Sequence, residues 1–249
     1  MAEFDTSHMT GRTAAGTRTA AIDEGLRAHM NKVYGTMSVG TLITFLVAWA
    51  VGTSPALLGV LRDPVTLSPN ILGWIVMFAP LIMVFAFGAA VNRLSAAGAQ
   101  LFFYAFSAVM GLSMAWIFVA FTGYSIAQIF LITSISFAGL SLWGYTTKKD
   151  ISAWGSFLIM GVIGLLVAMV VNIFLQSPAM MYAISILGVL IFAGLTAYDT
   201  QKIKTDYVQH AAHADTEWLA KSAIMGALTL YLDFINMFMF LLQLFGNRE

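Results

Sequence analysis

The run GSFLIMGVIGLLVAMVVNIFLQSPAMMYAISILGVLIFAGLTAYD, residues 155–199, decides the fold. It holds no charged side chain before Asp199, and its only polar break is Gln176-Ser177-Pro178. A helix needs about 20 apolar residues to cross roughly 30 Å of bilayer hydrocarbon, and this run supplies that length twice. The break is so short that the two helices must be antiparallel neighbours.

Outward from this run, five further stretches reach the same length: 33–53, 71–91, 101–121, 126–145 and 224–245, beside 155–175 and 179–199. The link at 122–125 is nearly as short as the one at 176–178 and imposes another antiparallel pair. The composition agrees. Of 249 residues 59% are hydrophobic and 10% charged, where an ordinary soluble domain has about 25% charged. The expected architecture is an all-α integral membrane protein, a seven-transmembrane-helix bundle over residues 31–249, preceded by a disordered cytoplasmic tail over residues 1–30. That tail is rich in Ala, Thr, Gly and Arg and lacks the apolar core and cleavage site of a secretory signal.

The formal net charge is zero, but the cations are not spread evenly. With the N-terminus inside, the cytoplasmic face receives Arg12, Arg18, Arg27, Lys32, Arg93, Lys148, Lys149, Lys202, Lys204 and Lys221, and the other face only Arg62 and Arg248. The positive-inside bias therefore places the N-terminus in the cytoplasm and the C-terminus outside. Nothing in the charge pattern suggests nucleic acid as a partner. The chain has no Cys, which excludes disulfide and thiolate chemistry.

Two carboxyl groups stand out, Asp199 at the end of the sixth apolar segment and Asp233 within the seventh. A carboxylate in a membrane segment is costly and marks a functional site by default. At 100° per residue, Ser222, Gly226, Thr229, Asp233, Asn236 and Gln243 fall within an arc of about 100°, a stripe that cannot face lipid. Ser185, Gly188, Thr196 and Asp199 share one face of the preceding helix by the same arithmetic. The two stripes are expected to face each other inside the bundle.

If the carboxyl groups meet, they titrate as a unit, can share one proton near neutral pH, and so act as a pH sensor and gate. Deprotonated, they are hard oxygen ligands of the kind Ca²⁺ selects, so Asp199 and Asp233 are also the candidate metal ligands. A full calcium site needs six to eight oxygens, and Thr229, Asn236, backbone carbonyls or water would complete an ion pathway. The plainer alternative is neutralisation of Asp199 by a basic neighbour, with Arg93, Lys202 and Lys204 in reach.

Small residues recur on the middle helices: Ser107 with Gly111, the run Ser134, Ser136, Gly139 and Ser141, and Gly161 with Gly164. Their expected role is close helix packing, which replaces the hydrophobic effect in lipid. Pro80 is expected to kink the second span. His210 and His213, with Asp206, Asp215 and Glu217, read as a solvated loop rather than a zinc site, since no further His or Cys completes a ligand set.

Three stretches carry a resemblance. They are Gly194-Leu195-Thr196-Ala197-Tyr198-Asp199-Thr200-Gln201-Lys202-Ile203-Lys204, then Ala227-Leu228-Thr229-Leu230-Tyr231-Leu232-Asp233-Phe234-Ile235-Asn236-Met237-Phe238, and Ile22-Asp23-Glu24-Gly25-Leu26-Arg27 through Val33-Tyr34. Together they resemble the transmembrane Bax inhibitor motif family, especially its bacterial members. The resemblance implies a last helix wrapped by the other six and a calcium leak whose opening depends on pH. It further implies that Asp199 and Asp233 hydrogen-bond as the sensing pair, with Arg93 as the latch partner that closes on Asp199. The basic C-terminal tail of eukaryotic members is missing, since the chain stops at Asn247-Arg248-Glu249. A bacterial member belongs in the cell inner (cytoplasmic) membrane as a multi-pass protein.

The leading expectation is a non-enzymatic, pH-sensitive calcium leak whose partners are the lipid bilayer, calcium and protons, with no organic cofactor. One alternative is a stress-protective protein that binds and modulates membrane proteins or proteases. Another is an intramembrane aspartyl protease, which uses the same two-carboxyl chemistry. Leu230-Tyr231-Leu232 before Asp233 lacks the glycine of those enzymes, and their Pro-Ala-Leu element is missing. A retinal-type protein is disfavoured because the seventh segment has no Lys for a Schiff base.

Overall fold

A computed structural model describes residues 7–248 except 64, 65, 67, 92 and 212, with side chains described from residue 23 onward. The chain forms α1 (Ser7–Gly52), α2 (Pro55–Leu61), α3 (Ile71–Ala90), α4 (Ala96–Met114), α5 (Ile117–Ala120), α6 (Gly123–Thr146), α7 (Trp154–Leu175), α8 (Pro178–His210) and α9 (Thr216–Phe245). Helix starts are set by short polar side chains that accept a first-turn N–H. Asn70 caps α3, Ser95 caps α4, Thr122 caps α6, Ser177 caps α8 just before Pro178, and Asp215 caps α9.

Among the described residues seven helical spans are long and apolar enough to cross a membrane, with α4 and α5 sharing one of them. The spans alternate in direction. Arg93, Lys148, Lys149 and Lys221 therefore lie at one end of the bundle, and Arg62 and Arg248 at the other.

Several boundaries differ from the sequence reading, for one reason; α9, for example, starts at Thr216 rather than near residue 224. Hydropathy falls where a helix leaves the apolar layer, but its backbone hydrogen bonds continue past that point. Thus α8 runs on from Asp199 to His210, so Asp199 lies inside a helix rather than at its end. At the other terminus Leu26, His29 and Met30 are buried. Residues 23–30 therefore belong to the bundle, and the boundary expected at residue 30 falls too late. Residues 1–6 lie outside the described residues.

α9 is the central helix. Its most apolar window is 67% buried, against 39% or less for the other spans, and it packs against α8, α1, α6 and α4. Its aromatic side chains key into the surrounding helices: Tyr231 meets Phe103 and Phe106 edge-on, and Phe234 meets Phe130 and Phe137. Tyr231 also hydrogen-bonds Thr44 of α1 at 2.7 Å.

Small residues set the closest approaches, as expected in lipid. A Cβ on Gly111 would stand 2.6 Å from the Thr44 carbonyl oxygen, and one on Gly144 would overlap the carbonyl oxygen of Ala197. Gly144, on α6, therefore fixes the distance to α8 two residues before Asp199. Gly139 and Gly164 take no part in such contacts, since a Cβ there would meet nothing within 4 Å. Pro80 is buried within a continuous α3.

Candidate functional site

The tight α6–α8 contact and the central position of α9 bring Asp199 and Asp233 together. Asp233 is only 4% exposed, while Asp199 is half-buried. The two carboxyl groups lie within hydrogen-bonding reach of each other. Asp233 Oδ2 is buried and finds no donor among the described residues. Two carboxylates have no hydrogen between them, so this contact is a hydrogen bond only when one of the pair carries a proton.

Around the pair, hydroxyl groups spend their protons on their own helices. Thr196, Thr200 and Thr229 donate to the carbonyls of Phe192, Thr196 and Met225, and Asn236 Nδ2 donates to Leu232 O. Thr229 and Asn236 are half-buried, and their remaining oxygen lone pairs are the ones open to a cation. No group of three or more His, Cys, Asp or Glu side chains converges among the described residues. A calcium ion at the pair would therefore draw on neutral oxygens and water.

Asp199 has Lys202 within electrostatic range, but no ion pair to it is formed among the described residues. Lys204 is engaged elsewhere, donating to Tyr145 O at 2.7 Å and lying over the Tyr145 ring. Arg93 is exposed in the turn after α3, whose main contacts are with α4 and α2 rather than with α8. This arrangement thus brings the two aspartates together and leaves Arg93 apart from them.

Other features escaped the sequence reading. Tyr34 of α1 hydrogen-bonds Ser141 of α6 at 2.6 Å, and Ser141 hydrogen-bonds Thr200 of α8 at 2.9 Å. Helical spacing shows which residues share a face but not which faces meet, so only the small size of Ser141 was visible. His29, read as belonging to the tail, is buried against the Tyr207 ring at 4.7 Å, with Nε2 unpartnered among the described residues. Asp215 and Glu217 are structural: Asp215 caps α9, and Glu217 accepts from Ala96 N and pairs with Lys221.

A bundle of seven apolar spans, the last of them central, with a facing carboxyl pair in its interior, defines a polytopic α-helical membrane protein with an internal ionisable site. Residues 26–249 match the family described as "Inhibitor of apoptosis-promoting Bax1", and the chain belongs to this Bax inhibitor family. It is 44% identical to "Inner membrane protein YbhL" of Escherichia coli K12, over 90% of this chain and 94% of that one. It is 42% identical to an uncharacterised protein of Caulobacter vibrioides, over 92% of each chain.

Proposed function

We propose that this protein is a pH-sensitive calcium leak of the bacterial inner (cytoplasmic) membrane, with the Asp199–Asp233 pair as proton sensor and gate. The observation that carries this reading is the buried contact between the two carboxyl groups on α8 and α9, with Asp233 Oδ2 lacking a donor among the described residues. One shared proton holds the contact closed. Without it, two charges about 4 Å apart repel by about 4 kcal/mol at an effective dielectric near 20, enough to push the facing surfaces of α8 and α9 apart.

The deprotonated pair offers calcium, the transported ion, a few hard oxygens with few formal charges. Weak binding of that kind suits passage rather than storage. The N-terminus is cytoplasmic by the positive-inside bias, and the inner-membrane location follows the name of the Escherichia coli relative. In this scheme Arg93 reaches Asp199 only if the α3–α4 turn moves inward, and Lys202 is the cation in range here.

The test is calcium flux into liposomes carrying the purified protein between about pH 6 and pH 8, for the native chain, Asp199→Asn and Asp233→Asn. A pH-dependent flux altered by both substitutions supports the gate. Flux no greater than in empty liposomes would sink it and favour a stress-protective protein acting by binding, in keeping with the inhibitory action in the family's description.

A further inference from the structure

α1 and α6 each pack against α8 and α9 but scarcely against each other, and the gap between them is a cavity of about 880 Å³. Its floor includes Phe234 of α9 and Tyr34 of α1. On the α6 side, Ala127, Ser134 and Ala138 leave the wall thin. Leu42 and Leu142, on opposite walls, are 56% and 63% exposed. The cavity therefore opens sideways, toward the hydrocarbon.

Its length follows from its lining. The cavity runs from Arg27 to Phe45 on α1 and from Ala127 to Tyr145 on α6. At 1.5 Å per residue each wall is about 27 Å long, nearly the roughly 30 Å of the bilayer core. Among the described residues no carboxylate lines it. Its charged end is formed by Arg27, with Asn31 one turn further along the same face of α1. Both are exposed, and Arg27 makes no ion pair with a described residue.

The surface this cavity exposes is predominantly apolar, and a cavity of about 150 Å³ already suffices for a benzene-sized guest. A cavity in a membrane span that opens to hydrocarbon fills with hydrocarbon. The cation at one end, at membrane-interface depth, adds a site for a negative group.

We propose that the α1–α6 groove is a binding site for one glycerophospholipid, with an acyl chain along Leu42, Ala138 and Phe234 and the phosphodiester at Arg27 and Asn31. The guanidinium supplies a planar pair of donors to phosphate oxygens. The chain contributes burial that a headgroup alone would lack. The site is separate from the aspartate pair, and its test does not depend on calcium flux.

The experiment is native mass spectrometry of the full chain released from detergent micelles containing either dioleoylphosphatidylglycerol or dioleoylglycerol. The native protein should retain one lipid per chain and prefer the phosphate-bearing one by roughly fivefold. Ala138→Trp, which fills the groove from the α6 wall, should lower retention of both lipids by roughly tenfold. Ala127→Phe, at the other end of the same wall, gives the same reading if Ala138→Trp fails to fold. Arg27→Gln should keep the bound chain and lose the preference for phosphate.

Undiminished retention in the filled variants at native helical content would overturn the proposal, as would equal retention of the two lipids by the native chain. Dimer ions in place of a lipid adduct, lost on filling the groove, would also overturn it by showing a second copy of the chain as the occupant.

Discussion

Tyr34 on α1 and Ser141 on α6 are joined by a 2.6 Å hydrogen bond across a gap where their helices otherwise scarcely meet. Thr200 spends its proton on Thr196 O, so Ser141 must donate to Thr200, and Tyr34 must donate to Ser141. This chain of hydroxyls ties three helices together one residue from Asp199. Tyr34→Phe should destabilise the bundle by about 1 kcal/mol, since hydrogen bonds between membrane helices contribute on that scale. A double-mutant cycle with Ser141→Ala, read by thermal unfolding in detergent, should show that the two losses are not additive.

Asn in place of Asp233 keeps the shape and donates a hydrogen bond to Asp199 without needing a shared proton. Asp233→Asn should therefore fold with stability within about 1 kcal/mol of native, and its calcium flux should be flat with pH where the native protein's is not. Liposome flux and thermal unfolding check the two halves of this expectation.

Protons and calcium compete for the same oxygens. Raising the pH removes the shared proton and adds a negative charge to the pair, so calcium retention should increase with pH. Lowering the pH restores the proton and should release calcium. Equilibrium binding of radioactive calcium to the detergent-solubilised protein measures the trend, and Asp199→Asn should weaken binding and flatten it.

Gly144 and Gly139 lie on one helix with opposite surroundings. A side chain at Gly144 collides with the Ala197 backbone, whereas one at Gly139 meets nothing. Gly144→Val should cost at least about 2 kcal/mol by forcing α6 away from α8. Gly139→Ala should be neutral or stabilising by about 0.5 kcal/mol, because alanine restricts the unfolded chain. Thermal unfolding of both variants provides the comparison.

The span count and the identity of the two aspartates were legible in the sequence because each depends on one segment at a time. Crossing a bilayer requires length and apolarity, and a carboxylate in such a segment is conspicuous in any fold. The stripe holding Thr229, Asp233 and Asn236 was legible for the same reason, since helical periodicity is a local property. The ends of α8 and α1 were not, because hydropathy reports where a helix leaves the apolar layer and not where its hydrogen bonds stop.

By itself, then, the sequence determined a seven-span membrane bundle with an inward-facing carboxylate on each of its last two helices. Only the tertiary structure decided that α9 is enclosed by its neighbours and that Asp233 Oδ2 finds no donor among the described residues. It also decided that Arg93 stands away from the pair and that α1 and α6 leave a groove between them. These outcomes depend on which faces of distant helices meet. In a bilayer that choice is made by close contacts such as Gly144 against Ala197 and Tyr34 against Ser141, where residues far apart in the chain must fit one another.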